Sequence, residues 1–260
     1  MNDENKIIQG LWIGKSLSLM EQLSINSFLS NGHCYHLYTY APVKAVPKGV
    51  IIKAASQILP VSSVFTYSKG FGAGSYAGFA DLFRYKLLAE RGGYWADLDI
   101  VCLKKFDFKE PFVFSSEYGA NDETVYNLGV IKVPIGSDWA KDCYKEAATK
   151  NFNNLNFGDI GPKFAAAMIK KHNLDKYVHS PAVFCPIKGS NFNRIVDPDF
   201  HFKFNNENYA IHLWHEMWRM ESSKRRSLLQ RLFGRVRVDK NKYYRNNTLY
   251  GQLQELYLFS

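Results

Sequence analysis

Gly92-Gly93-Tyr94-Trp95-Ala96-Asp97-Leu98-Asp99-Ile100-Val101 is the stretch from which the rest of the chain can be read. Two glycines close a helix-like run, and a short apolar strand follows. That strand delivers two aspartates separated by one residue. In an extended backbone, side chains alternate between faces. The spacing therefore predicts Asp97 and Asp99 on one side and Leu98 on the other. Two carboxylates this close repel and raise each other's pKa, so a cation is the usual reason for keeping them together. Hard divalent ions such as Mg²⁺ or Mn²⁺ take oxygen ligands of this kind, often with substrate phosphates. The plainer alternative is a solvated strand end that carries two acids.

Working upstream, Tyr76 to Arg91 has helical periodicity, with Ala80, Phe83 and Leu87 on the buried side. Asp81 and Arg84 are neighbours at i and i+3 on its surface. They form either a surface ion pair or a pair that hydrogen-bonds a sugar. Gly92-Gly93 supplies the helix cap. Lys69-Gly70-Phe71-Gly72-Ala73-Gly74-Ser75 is a glycine-rich loop that follows no clear strand and lacks the Gly-Lys-Ser/Thr ending of a phosphate loop. It reads as a mobile loop over a site, or as a turn. Lys6 to Gly14 reads as a first buried strand, Leu17 to Leu29 as a helix, and Tyr35 to Tyr40 and Val50 to Ile52 as further strands. Trp12 stands at the carboxyl end of the first strand, where α/β sheets bind ligands. It reads either as a stacking platform for a base or as a core tryptophan.

Downstream, Phe112 to Glu117 and Tyr126 to Ile131 read as strands, the second carrying Asn127. Asp138 to Lys150 reads as a helix. Phe157-Gly158-Asp159-Ile160-Gly161-Pro162 is a turn ahead of a helix over 163–171, whose start favours an anion. Val183 to Pro186 and Tyr209 to Trp214 read as late strands, the latter with His212 and Trp214. A lone histidine in an apolar strand is either a satisfied core residue or a ligand. The alternation of strands and helices predicts an α/β protein with a mainly parallel sheet.

The 260 residues suffice for a sizeable core. No apolar run reaches the ~18–20 residues of a membrane span, and no signal peptide opens the chain. Both point to a cytoplasmic protein. Cys34, Cys102, Cys143 and Cys185 are far apart and form no C-x-x-C, which fits free thiols in a reducing compartment and argues against zinc. The net charge of +9 is unevenly placed. Residues 219–245 hold ten Lys/Arg and two acids, so this stretch carries eight of the nine charges. The division expected is a catalytic domain over 1–218 and a basic tail over 219–260. On a helix through 224–237, Leu228, Leu229, Leu232, Phe233 and Val236 share one face flanked by Lys224, Arg226, Arg231, Arg235 and Arg237, with Arg225 breaking the pattern. That layout suits the interface of an anionic membrane. The alternative is a helix docked on the catalytic body.

The Leu11-Trp12-Ile13-Gly14 start, the Ala80-Asp81-Leu82-Phe83-Arg84-Tyr85 helix, the Gly-Gly-Tyr-Trp-Ala-Asp-Leu-Asp strand and the late Ala-Ile-His-Leu-Trp together resemble glycosyltransferase family 32. That is the D-x-D group, which includes bacterial capsule and lipopolysaccharide enzymes. The resemblance runs from Ile7 to about Arg219, with Gly161-Pro162 a weaker match and Trp95 where tyrosine is frequent. It implies a GT-A fold, a Rossmann-like sheet with the nucleotide at the strand ends. It implies a nucleotide-sugar donor, UDP-linked by preference, and a glycan or lipid-linked glycan acceptor. Retention of anomeric configuration and Mn²⁺ or Mg²⁺ dependence are implied as well. By position, Trp12 would stack on the donor base, and Asp81 and Arg84 would hold the donor sugar and diphosphate. Asp97 would face the ribose and sugar and share the metal that Asp99 binds directly. His212 would join the metal site and Trp214 would close it over the phosphates. Asn127 and Asp159 are further candidates for the reacting centre, and no carboxylate stands out as a nucleophile.

Asp97-Leu98-Asp99-Ile100-Val101 also fits the nucleophile motif of haloacid dehalogenase phosphatases. There the motif ends the first strand and a later acidic pair completes the site; here a Rossmann-like unit precedes it, and Gly158-Asp159 lacks the second acid. A nucleic-acid binder using the basic tail is disfavoured by the aspartates and the near-neutral body, so no nucleic-acid partner is expected. An inactive sugar-binding member of the same fold is the remaining alternative.

Overall fold

In the computed structural model, residues 6–223 and 238–259 are described. Strand β1 (Ile7–Trp12) runs through the middle of a six-stranded sheet. It is buried along most of its length, as a continuous apolar run in a parallel sheet must be. Helix α1 (Leu19–Ser30) returns the chain to β2 (Cys34–Thr39), which lies parallel to β1, and β3 (Ile51–Ala54) lies parallel to β2. Helix α2 (Ala77–Arg91) then crosses to β4 (Gly93–Ala96), parallel to β1 on its other side. The short β5 (Ile100–Cys102) lies outside this sheet, and β6 (Val113–Tyr118) and β7 (Thr124–Val133) complete it. The order across the sheet is β3-β2-β1-β4-β7-β6, with the last two pairings antiparallel. This is the α/β class and the mainly parallel, Rossmann-like sheet that the sequence predicts.

Two core layers flank the sheet. On one face Leu82, Phe83, Leu87 and Leu88 of α2 pack against Leu11 and Trp95, and Trp139 of α3 (Asp138–Ala148) joins them. Ala165, Met168 and Ile169 of α4 (Pro162–Lys171) belong to the same layer. On the other face, Ile25 and Phe28 of α1 pack against Ile8, Tyr35 and Tyr94. Each such fully buried side chain contributes roughly 1.5–3 kcal/mol. The reversal from α2 into β4 depends on its glycines. Gly92 has φ 60° and Gly93 φ 77°. A β-carbon on Gly92 would stand 2.4 Å from the Ile135 nitrogen, so no other residue fits.

The structure corrects two expectations. First, Asp97, Leu98 and Asp99 do not extend the strand. β4 ends at Ala96, and the Ile100 N–H donates to the Asp97 carbonyl at 3.0 Å, closing a turn. The chain turns because β5 leaves the main sheet to pair antiparallel with β8 (Ala210–His212). Leu98 still enters the core beside Gly10. Second, Val183 to Pro186 is not a strand. Pro181 starts a short helix, α5 (Pro181–Phe184), by presetting helical φ at its first position.

The C-terminal region is described only in part. The expected amphipathic helix over 224–237 lies outside the described residues. Residues beyond it, however, pack into the body. Trp218 of α6 (His215–Ser223) is buried in one cluster with Met20 and Leu23 of α1. Val238 joins that cluster, and α7 (Leu249–Leu258) adds Leu249, Tyr250, Leu253 and Tyr257. This explains why α1 is buried nearly all round: it lies between the sheet and α7.

Candidate active site

A cleft of about 580 Å³ opens at the carboxyl ends of β1 and β4. Topology assembles it. β1 delivers Trp12, β4 delivers Asp97, and the β5–β8 pair sets Ile100 opposite His212, so that His212 reaches the second aspartate. The glycine-rich loop forms one lip through Phe71, Gly74 and Ser75. Phe157 meets Phe71 edge to face at 4.8 Å across the opening.

The floor is a buried charge network. Arg84, 4% exposed, places Nη2 3.2 Å from Asp81 Oδ1 and 3.0 Å from Asp97 Oδ1. Its Nη1 donates to the Leu128 carbonyl, and its guanidinium lies 4.9 Å from the centre of the Trp95 ring. Trp95 Nε1 in turn donates to Asp97 Oδ1 at 2.8 Å. Asp81 and Arg84 are thus neighbours at i and i+3, and the ion pair is buried rather than on the surface. Burial pushes the Asp81 carboxyl up to about 7 against the pull of Arg84. Burial raises Asp97 too; Arg84 opposes this and the Asp99 charge adds to it.

Asp99 is held differently. Its Oδ2 lies 3.1 Å from His212 Nε2 and accepts the His215 backbone N–H at 2.7 Å. Burial disfavours its charge, but the imidazole and the N–H outweigh burial and hold the carboxyl well below the usual range. Burial lowers His212; Asp99 overrides this and raises it well above an ordinary imidazole. Asp97 Oδ2 and Asp99 Oδ1 take no hydrogen bond from the described residues. Two carboxylates with free oxygens in one cleft are a donor set that fits a hard divalent cation; the His212 imidazole, expected as a ligand, is instead engaged with Asp99. Among the described residues no three His, Cys, Asp or Glu side chains gather closely enough to hold an ion by themselves. The set therefore fits an ion that a substrate phosphate also binds.

Trp214 lines the cleft with a φ of 60°, a left-handed conformation rare for a bulky residue. Its ring lies 4.0 Å from that of His212. Strain of this kind concentrates at functional sites. Asn127 also lines the cleft; its Oδ1 accepts the Gly129 N–H at 2.6 Å, and its Nδ2 donates to Glu117. Trp12, Asp81, Arg84, Asp97, Asp99, Asn127, His212 and Trp214 are thus brought together. Asp159 is not: it is exposed and accepts the Asn156 N–H at 2.7 Å within its own turn. Its neighbours Gly158 and Pro162 reach the cleft instead.

Sequence reasoning missed Glu21, Glu117 and His215, which all line the cleft. Burial raises Glu117, and the Asn127 amide moderates the shift. An acid at the end of an otherwise apolar strand was the signal for Glu117. The S-x-x-E spacing from Ser18 marks Glu21 as a helix-capping residue, not as a cleft residue. A second cavity of about 440 Å³, lined by Gln9, His36, Lys53 and Arg91, contains none of these residues.

Residues 54–118 match the family described as "Glycosyltransferase sugar-binding region containing DXD motif". The segment that carries both aspartates is thus similar to the sugar-binding region of D-x-D glycosyltransferases. The matched segment runs from β3 to the end of β6 and so contains α2, β4 and both aspartates. No curated protein matches the chain. Among solved structures it is similar to "PaToxG Glycosyltransferase", at 18% identity over 66% of this chain and 71% of that one, with a TM-score of 0.46. It is also similar to the glycosyltransferase GlyE in Streptococcus pneumoniae TIGR4, at 11% identity over 96% of this chain and 60% of that one, with a TM-score of 0.45.

Proposed function

We propose that this glycosyltransferase moves a hexose or N-acetylhexosamine from a nucleotide-sugar, UDP-linked by preference, to a glycan acceptor in surface polysaccharide or lipopolysaccharide synthesis. The observation that carries the reading is Arg84 held between Asp81 and Asp97 beside an Asp99 fixed by His212. A buried guanidinium with two carboxylates offers both donors and acceptors to sugar hydroxyls. The family 32 resemblance supports the acceptor class and retention of anomeric configuration.

Each residue then has work to do. Trp12 offers an indole face to the base. Asp81 and Asp97, oriented by Arg84, accept hydrogen bonds from the donor sugar and ribose. Asn127, fixed by Gly129 and Glu117, presents its amide to the reacting sugar. Trp214 covers the phosphates and excludes water. Asp99 and Asp97 would hold Mn²⁺ or Mg²⁺, which when bound supplies Lewis-acid neutralisation of the departing nucleotide diphosphate; His212, whose Nε2 faces Asp99 Oδ2, would orient that carboxylate and not ligate the ion. The acceptor hydroxyl would lose its proton to the leaving phosphate, with attack on the face from which it departs. The aromatic lip of Phe71 and Phe157 suits an acceptor sugar.

The charge over 219–245 supports a peripheral site of action at the inner face of an anionic membrane, where lipid-linked acceptors lie. No helix among the described residues is long and apolar enough to cross a membrane. The deciding experiment is a panel of nucleotide-sugars with Mn²⁺, read by nucleotide release with and without acceptor glycans. Proton NMR of the product gives the anomeric outcome. No release with any donor would sink the reading, and an inverted anomeric centre would remove retention alone.

A further inference from the structure

Glu21 is a buried carboxylate on the cleft wall with no part in the chemistry above. It is 2% exposed. Its Oε2 accepts the Ser18 N–H at 2.6 Å, which closes the capping box of α1. Its Oε1 accepts from Lys240 Nζ at 2.8 Å. Lys240 comes from the far end of the chain. The Met20 N–H donates to its carbonyl at 3.2 Å, and buried Val238 anchors the segment two residues before it.

The same ammonium touches two more cleft residues. It lies 2.8 Å from His215 Nε2 and 5.2 Å from the centre of the Trp12 ring. An ammonium only donates, so His215 Nε2 accepts and the ring proton sits on Nδ1. The His215 backbone N–H is one of the two groups that hold Asp99. One cation therefore ties α1, the residue suited to the base and the residue behind the second aspartate.

A buried, unpaired carboxylate is strongly unfavourable. On this wall it would also repel any anionic ligand entering the cleft. We propose that Lys240 supports binding of the donor nucleotide indirectly, by cancelling the Glu21 charge so that a nucleoside diphosphate can lie along the wall of Trp12 and His215. The proposal rests on the nucleotide-sugar reading above.

The test is calorimetric titration of the full chain with UDP and GDP, and with uridine and guanosine, in Mn²⁺. The proteins are the unaltered chain, Lys240→Met and Glu21→Gln/Lys240→Met. Lys240→Met should weaken diphosphate binding about tenfold and nucleoside binding less than about threefold, because a charge pair and not stacking is lost. With an active donor, KM should rise and kcat change little. The double variant, with no carboxylate left to repel the ligand, should recover diphosphate binding to within about threefold of the unaltered chain. If Lys240→Met does not fold, the double variant decides: recovery supports the proposal, and about tenfold weaker diphosphate binding overturns it. Diphosphate binding by Lys240→Met equal to that of the unaltered chain overturns the Lys240 role alone. Absence of diphosphate binding by the unaltered chain overturns the nucleotide-sugar reading, and this proposal with it.

Discussion

Arg84 Nη2, on α2, stands 3.0 Å from Asp97 Oδ1, at the exit of β4. The contact joins a helix to the turn that follows its neighbouring strand, and both groups are largely withheld from water. Arg84 also reaches Asp81 and the Leu128 carbonyl, a span that a lysine's single ammonium cannot reproduce. Arg84→Lys is expected to fold and to lose at least about tenfold in kcat/KM. Arg84→Ala leaves the buried Asp81 and the half-buried Asp97 without their cation and should destabilise by ~3 kcal/mol. Thermal melts and steady-state rates of both variants check this; a fully active Arg84→Lys would refute the need for the fork.

Asp99→Asn keeps the shape of the site and removes the charge. It is expected to lower the rate by at least ~10²-fold, since a charge contact realised at the transition state is worth ~3 kcal/mol. The melting temperature should change much less than the rate. Turnover that persists in EDTA would contradict a metal role for this residue.

Asp81 makes stability depend on pH. Its folded pKa of about 7 lies above the ~3.9 of an unfolded aspartate. The folded state therefore holds a proton that the unfolded state has released between those values. Its contribution is fully present below about pH 4 and falls as pH rises toward 7, by an amount of order a few kcal/mol. Asp81→Asn should flatten the stability profile from about pH 4 to about pH 7 while lowering activity. Parallel profiles for the two proteins in urea unfolding would show that another group is responsible.

A membrane role for the basic segment predicts co-flotation with liposomes that contain anionic lipid, at low salt and not at high salt. Arg226, Arg231, Arg235 and Arg237 changed together to Gln should abolish it. Truncation is the wrong probe, because it also removes Lys240 and α7 from the body. Equal flotation of the altered and unaltered chains would exclude these arginines as the anchor.

Much of the site was legible because it is local. Asp81 and Arg84 lie one helical turn apart, and the glycine pair marks the reversal that brings the aspartates beside them. The parallel strands follow from apolar runs that only a parallel sheet buries. What escapes the sequence is non-local. The turn at Asp97 exists because β5 pairs with a strand more than a hundred residues later, and alternation cannot register such a partner. Val183 to Pro186 reads as a strand because the helical bias of Pro181 lies just outside it. Glu21 is paired at the cleft with Lys240, more than two hundred residues later, a partner that no local pattern registers. Asp159 carries the chemistry of a site residue, yet its own turn consumes the carboxylate.

Trp218 and Val238 are buried in one cluster. The chain therefore departs from and returns to the same anchorage, and the residues between them are tethered at both ends. A membrane contact made there would be made by a tether and not by a trailing end. Pulling on it would be felt at α1 and Lys240 as well as at α6. A single nick between the anchors should leave the C-terminal fragment bound, giving a two-fragment enzyme whose activity disappears only when the fragments are separated.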